Sequence, residues 1–513
     1  MSKLKVRLSR RAALFLALFI ILLGAFNAAA APAERLRFRV RVGQGLPRSP
    51  FSGRLLIFMT QQTKPLEVIE QDFLNPGSVW ITGVEVSNLE QGKPVEVDPD
   101  ALSFPAAFST APAGDYQVMA LLDMNHSYTY SGTGADDLLS AVTVQRNLNP
   151  SQGGTIELTL TRIVPRRELE DTNSVKLVTF ESPALSAFWG RPINMRAGVV
   201  LPPSYGKNAQ ERYPTIYVVH GFGGSHRSAW GQHTRTVMKA MVEGKTPEMI
   251  YVYLDGSWPM GHHEFADSVN NGPWGRALTT EFIPYLEKRF RMDGVPTGRL
   301  LTGHSSGGWS TLWLQINYPD FFGGTWSTSP DPVDFRNFTG PDLTNPMQNF
   351  YRRADGTPYN LVRFQGKELW TVEEYARSER VLGAYGGQMA SFEAVFSPRG
   401  QDGQPMPLFD RDTGRIDPFV ARAWERYDIA RVLRANWRTL SPRLKGKLHI
   451  IVGTADTFHL DEAARLLQGV LKELGSDATF EFIEGRDHFN LYEGGLAERM
   501  AQEMYATARP KRN

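Results

Sequence analysis

Cysteine is absent from all 513 residues. That excludes disulfides, thiolate metal sites, thiol nucleophiles and a lipidated N-terminal cysteine of the bacterial kind. An excess of charge is also missing: 56 Lys and Arg stand against 54 Asp and Glu, for a formal net charge of +2. Even this small surplus belongs to the start of the chain. Lys3, Lys5, Arg7, Arg10 and Arg11 are the charged residues of segment 1–33, and without them the net charge falls to about −3. No nucleic-acid partner is therefore expected. The 47 glycines and 33 prolines follow no Gly-X-Y period, which excludes a collagen-like chain. Hydrophobic residues at 42% and charged residues at 21% exclude wholesale disorder.

Among long apolar runs, 12–26 stands out. A basic stretch precedes it, and Asn27, four alanines, Pro32 and Ala33 follow. That order is the one of an export signal, with cleavage expected around 29–33 and a periplasmic or extracellular product. The run is short for a bilayer span of about 20 residues. No stable membrane association is expected after cleavage, an uncleaved anchor being the alternative. Ser9-Arg10-Arg11 resembles a twin-arginine signal, but the apolar stretch fits the general route equally, so the route stays open.

From 34 to 165 the pattern is β. Segment 36–42 alternates apolar and basic residues, and short runs recur at 55–59, 79–86, 94–97, 116–122 and 155–160, separated by turn signals such as Asn75-Pro76-Gly77. A small all-β sandwich is expected there. The charged stretch 166–173 marks a boundary. Beyond it, from 174 to 513, continuously apolar runs at 215–219, 249–254, 299–302 and 448–452 alternate with helical patterns at 277–290, 306–317, 461–474 and 492–508. Strands hydrophobic on both faces are those of a parallel sheet, so a doubly wound α/β domain is expected. Segment 332–445 breaks the alternation and is rich in aromatics, among them Phe350, Trp370, Tyr375, Phe392 and Trp424. It is expected to form a mainly helical, lid-like insertion.

Gly303-His304-Ser305-Ser306-Gly307-Gly308 lies between a strand and a helix, the setting in which G-x-S-x-G is a nucleophile elbow. Ser305 alone has glycine on both sides at the required spacing. His220-Gly221-Phe222-Gly223-Gly224 follows another strand, and its glycines let main-chain N–H groups approach a substrate carbonyl. The expected oxyanion donors are the amides of Phe222 and Ser306; His220 is read as a brace for the loop. A serine hydroxyl needs a base, and this fold orders its residues serine, acid, histidine. Of the histidines downstream, His449 lies within a strand and His459 before a helix, whereas His488 follows strand 479–483 in a loop able to reach the elbow. The acid should hang from the end of the preceding strand. Asp456 sits there, with Asp331, one strand earlier, as the alternative; Asp487 is expected to point elsewhere.

Trp274, in Asn270-Asn271-Gly272-Pro273-Trp274-Gly275, is a candidate substrate-binding residue. His262-His263-Glu264 with Asp267 lacks metal-ligand spacing and is assigned to a loop near the site mouth; no metal or cofactor is expected. Asp123-Met124-Asn125-His126 lacks the spacing of a calcium loop.

Together, the 220–224 loop, Asn271 to Gly275, the elbow, Asp456 and Asp487-His488 resemble the Putative esterase family, which includes esterase D, feruloyl esterases and enterochelin esterase. The likeness covers about 177–505. It implies an α/β-hydrolase with a triad of Ser305, Asp456 and His488, acting on small-molecule or polymer-linked esters. The alternatives are a serine peptidase of the same fold and a non-catalytic protein that binds polysaccharide or a partner.

Overall fold

The computed structural model describes residues 35–46, 50–207, 209–345, 347–383 and 387–510. The expected export segment 1–33 lies outside them. Strands β1 (Leu36–Val42), β2 (Phe51–Thr60), β3 (Val79–Leu89), β4 (Val95–Val97), β5 (Ser103–Phe104), β6 (Gly114–Asp123), β7 (Leu138–Ser140), β8 (Thr143–Leu148) and β9 (Gly154–Ile163) form one nine-stranded sheet. Its order is β4-β1-β9-β7-β6-β2-β3-β5, with β8 on β6. All its pairs are antiparallel except the first strand with the last: β1 and β9 run parallel, Leu36 opposite Gly154.

Alternation explains how the sheet is used. Leu55, Ile57 and Met59 of β2 share one buried cluster with Phe38 and Val40 of β1 and Val118 and Ala120 of β6. Leu56 and Phe58, on the opposite face, join a second cluster with Trp370, Phe392, Trp424 and Trp309 from the rest of the chain. Successive side chains of a strand point to opposite faces, so β2 is apolar from Leu55 to Met59 because both faces are covered.

The second sheet has eight strands in the order β10-β11-β13-β12-β14-β15-β18-β19, which are Val175–Glu181, Asn194–Val200, Ile250–Leu254, Thr215–Val219, Arg299–His304, Gly324–Thr328, Leu448–Gly453 and Thr479–Ile483. The first two pairings are antiparallel and the rest parallel. This order, with its early exchange of neighbours, is that of an α/β-hydrolase. Helices α1 (Gln232–Val242) and α9 (Leu496–Ala508) cover one face. On the other lie α3 (Ser306–Asn317), α7 (Ile429–Leu444) and α8 (Leu460–Glu473). Helix α2 (Ile283–Arg289) continues from Trp274–Ala277 through a π-helical turn.

Segment 332–445 carries α4 (Val372–Leu382), α5 (Gln388–Phe396) and α6 (Pro418–Trp424). It also holds a hairpin of β16 (Asn360–Phe364) and β17 (Lys367–Thr371), which the helical expectation did not include. Its last helix, α7, packs against α3 and α8 as an ordinary crossover helix of the sheet.

Candidate active site

Ser305 follows β14 with φ +59° and ψ −126°, a conformation non-glycine residues rarely adopt and which costs roughly 1–3 kcal/mol. The surroundings hold it there. Its N–H donates to the Thr328 carbonyl at 3.1 Å, and its carbonyl accepts from the N–H groups of Trp309 at 3.1 Å and Asp331 at 3.2 Å. The turn closes only because its flanks lack side chains: a methyl group on Gly303 would run into the Gly307 carbonyl, and one on Gly307 into the carbonyl of Val219. The G-x-S-x-G pattern thus reflects a steric demand on both sides of the serine.

His488 follows β19. Asp487 shapes its loop by accepting the N–H groups of Phe489 and Asn490, both at 2.9 Å, and so turns away from the imidazole, as expected. His488 Nδ1–H donates to Asp456 Oδ2 at 3.0 Å, which leaves Nε2 for a second partner. Asp456 Oδ1 also accepts the N–H groups of Phe458 at 3.0 Å and Leu460 at 3.4 Å. Burial alone would raise the pKa of Asp456. The His488 charge and hydrogen bonds from His488, Ser329 and Phe458 outweigh it and hold the carboxyl below its usual range. The His488 carbonyl accepts His304 Nε2–H at 3.0 Å, and the two rings lie 4.3 Å apart, so the histidine loop is tied directly to the elbow.

Asp331 does not touch the imidazole nitrogen that Asp456 occupies. It meets two serines instead: Ser305 Oγ–H donates to its Oδ1 at 3.3 Å, and Ser306 Oγ–H to its Oδ2 at 2.6 Å. Burial and the nearby Glu264 charge push its pKa up to about 7, against the opposing Ser306 hydroxyl, His488 and His262. The alternative acid is therefore a second carboxyl of the site, in a different place.

His220 has both ring nitrogens engaged. Nδ1–H donates to the Gly221 carbonyl at 2.7 Å, and Nε2 accepts the Gly256 N–H at 2.8 Å. Burial and the neighbouring His262 lower its pKa to about 3, so the ring stays neutral and braces the loop. A methyl group on Gly221 would lie 3.1 Å from both the His304 carbonyl and Ser305 Cβ, which measures how closely the loop approaches the serine. Among the described residues, no acceptor is bonded to the Phe222 or Ser306 amide. The Ser306 N–H opens α3, where a helix has no acceptor of its own and concentrates positive charge.

A cavity of about 20 Å³ beside Ser305 is walled by Asp331, Leu361, Tyr375, Gln388, Met389, Phe392 and Phe458. Most of this wall comes from segment 332–445, whose aromatics marked it in the sequence. The individual wall residues carried no motif of their own. A larger cavity of about 330 Å³ lies behind His304, between the sheet and helices α1 and α9, and Ser305 is not on its wall.

Two expectations need correction. Trp274 is not on the wall of the Ser305 cavity; it is 2% exposed, stacks on His263 at 3.8 Å, and donates Nε1–H to the Asn271 carbonyl at 2.9 Å. Its flat ring fills core space that a histidine face leaves open. His262, His263 and Glu264 are not at the mouth but fully buried under α3, where Glu264 accepts the Ser310 hydroxyl at 2.6 Å. The other two histidines downstream of Ser305 have structural partners: His449 stacks on Trp326 and His459 starts α8 beside Glu368 and Glu462.

The chain matches the family described as Putative esterase over residues 190–473, more than half of its length. It belongs to that family. An endo-1,4-beta-xylanase/feruloyl esterase of Xylanibacter ruminicola is 28% identical over 144 residues, 26% of this chain and 20% of that protein. The protein YbbA of Bacillus subtilis is 24% identical over 157 residues, 26% of this chain and 56% of that one. The matches therefore span one fifth and about half of these curated relatives. Among solved structures, a ferulic acid esterase aligns with TM-score 0.43 and 16% identity, over 65% of this chain and 98% of its own. An S-formylglutathione hydrolase from Agrobacterium tumefaciens aligns with TM-score 0.38 and 14% identity, over 65% and 94%. Among the described residues, no helix is long and apolar enough to cross a membrane.

Proposed function

We propose that this chain is an exported serine carboxylic ester hydrolase working through an acyl-enzyme, with Ser305, His488 and Asp456 as its triad. The observation that carries the reading is a serine at φ +59° in a strand-to-helix turn to which His304 ties the His488 loop, with the His488 Nδ1–H held by a buried carboxylate. In the resting geometry the Ser305 hydroxyl faces Asp331. Rotation about its Cα–Cβ bond towards His488 Nε2 starts the reaction. Nε2 takes the hydroxyl proton as Oγ attacks the ester carbonyl carbon, and the carbonyl π pair moves onto oxygen. The Phe222 and Ser306 amides face that oxyanion; one such donor is typically worth about 3 kcal/mol in the transition state. Collapse expels the alcohol, which takes the proton from His488. Water then repeats the sequence on the acyl-enzyme and releases the acid. Asp456 stays ionised and steadies the imidazolium.

Substrate size follows from the cavity. Room for about one water-sized group beside Ser305 fits a short acyl chain such as acetyl. The basic start and apolar run of segment 1–33 support export.

The deciding experiment is hydrolysis of p-nitrophenyl acetate by the wild-type chain and by Ser305→Ala. Wild-type turnover is expected, with a loss of about a million-fold in the variant, by analogy with serine proteases. Equal rates would refute the reading. Mass spectrometry of the exported protein should find an N-terminus between 29 and 33.

A further inference from the structure

The nine-stranded N-terminal sheet reaches the chemistry at two points. The first is the oxyanion loop. After β6 the chain makes a single helical turn, Tyr128–Ser131, and Tyr130 lies against residues 222–224. Its hydroxyl donates to the Gly224 carbonyl at 2.8 Å. Its ring meets the Phe222 ring edge-on, at 5.0 Å between centroids and an interplanar angle of 79°. Its own carbonyl lies where a side chain on Gly223 would point, 2.7 Å from that methyl position; Gly223 has φ +82°. The tyrosine therefore touches the oxyanion loop through hydroxyl, ring and main chain. Phe222, whose amide is assigned to the oxyanion, is the residue its ring presses.

The delivery of Tyr130 is itself built. Asp123, fully buried at the end of β6, accepts the N–H groups of Asn125 at 3.3 Å, Ser127 at 3.1 Å and Tyr128 at 2.9 Å. Asp137, equally buried, accepts those of Met124 at 3.1 Å and Gly134 at 2.6 Å. Two carboxyls thus fold 123–137 around main-chain amides, which gives the Asp123-Met124-Asn125-His126 motif a structural purpose. The second point of contact is the histidine loop. Phe73, between β2 and β3, lies 6.1 Å from the ring of Phe458 and 6.4 Å from that of Phe489, and Phe458 stands edge-on to His488 at 4.9 Å. The Phe73 carbonyl is pinned by Trp370 Nε1–H at 2.8 Å. Between these points the sheet is locked to the insertion: the buried Arg54 guanidinium caps the end of α4, donating to the carbonyls of Val381 at 2.8 Å and Arg380 at 3.0 Å.

We propose that the N-terminal sheet is a working part of the active site and that Tyr130 is its positioning residue, fixing the Phe222 amide on the oxyanion through its grip on residues 222–224. The inference rests on the ester-hydrolase reading. An oxyanion donor acts only when it is aimed at the place the charge will occupy, before the charge forms. A loop containing three glycines does not hold such an aim unaided; Tyr130 supplies the missing rigidity from outside the hydrolase fold. A separate carbohydrate-binding appendage would have no reason to make these contacts.

The test uses the full-length chain and steady-state hydrolysis of p-nitrophenyl acetate. Wild type against Ser305→Ala comes first: absence of serine-dependent turnover defeats the parent reading and overturns the role of Tyr130 with it. With that turnover in hand, Tyr130→Phe removes the hydrogen bond alone and Tyr130→Ala removes the ring as well. Both should lower kcat with KM within about two-fold, by roughly 3–10-fold for phenylalanine and 30–100-fold for alanine, fractions of the full loss of one donor. Affinity for a boronic acid, which forms a tetrahedral adduct on the serine, should fall in step with kcat/KM. Thermal unfolding accompanies each variant, and if Tyr130→Ala does not fold, the phenylalanine variant decides. Wild-type kcat in a folded variant, or a change in KM alone, overturns the proposal.

Discussion

Two carboxyls stand at the ends of neighbouring strands, both closed off from solvent, and they are driven in opposite directions. Asp456, after β18, is held below its usual range. Asp331, after β15, is pushed up to about 7. Burial acts on both in the same sense, so burial does not separate them. What differs is the partner. Asp456 faces an imidazole that becomes cationic and accepts N–H donors besides. Asp331 is given serine hydroxyls, a distant glutamine amide at 3.5 Å and the repulsion of Glu264. One strand end is built to keep a charge, and its neighbour to avoid one until the pH rises.

Breaking the charged side should have the larger effect. Asp456→Asn keeps the shape but lets the amide donate towards His488 and turns the imidazole to the wrong tautomer. We expect kcat on p-nitrophenyl acetate to fall about 10⁴-fold, as in the chymotrypsin-type triad. A loss below ten-fold would mean that Asp456 does not orient the base.

The protonated side should respond to pH. As Asp331 ionises through about 7, it becomes a stronger acceptor for the Ser305 hydroxyl and places a negative charge beside the forming oxyanion. Asp331→Asn should therefore raise kcat/KM at pH 8 by about 3–10-fold while leaving pH 5.5 nearly unchanged. Superimposable pH profiles would sink this. Stability should move with it. The folded carboxyl keeps its proton up to about 7 while the unfolded one releases it near 4, so stability is lost as pH rises through that window. The asparagine variant should be more stable than wild type at pH 8, by on the order of 1–4 kcal/mol, with the gap closing near pH 4.

The same contrast governs what the sequence reveals. Apolar strands were legible: 215–219 and 479–483 were expected with the limits the structure gives them, as was helix 306–317. Strand β15, Gly-Thr-Trp-Ser-Thr, was not, although all five residues are buried. Two of its hydroxyls find partners inside, Ser327 on the Gly308 carbonyl at 2.9 Å and Thr328 on that of Gly303 at 2.8 Å, and such partners cannot be read from hydrophobic runs. Ser305, His488 and Asp456 could be singled out because their order and spacing reflect sterics at strand ends. Trp274 was misjudged because an indole beside a glycine-rich turn reads alike in a core and in a pocket. Tyr130 and Phe73 left no local signal at all, since their meaning lies in contacts with residues 222–224 and 458–489, far away in the chain.

The wall around Asp331 offers a milder perturbation. Met389 is 4% exposed and borders the cavity with Phe392 and Leu361. Met389→Ala should enlarge the acyl side and raise the butyrate-to-acetate ratio of kcat/KM by about ten-fold, within the usual worth of one or two methylenes. The same truncation should cost about 2–5 kcal/mol of stability. An unchanged ratio in a folded variant would place the acyl group elsewhere.

The contrast also bears on acid lability, which comes from histidines rather than carboxyls. Burial holds His220 and His304 at about 3 and His262 at about 4, and lowers His263 as well, so all four are neutral in the folded protein. In the unfolded chain each takes a proton near 6.5. The unfolded state thus binds more protons as pH falls below that value, and stability present above 6.5 drains away on the way down to about 4. Asp331 works against this over part of the window, because its neutral form is the one the fold prefers. Thermal midpoints measured from pH 4 to 8 should therefore show a maximum rather than a plateau, and Asp331→Asn should move that maximum to higher pH. A maximum that stays in place would show that the carboxyl beside the serine is already ionised, and the division between the two strand ends would disappear.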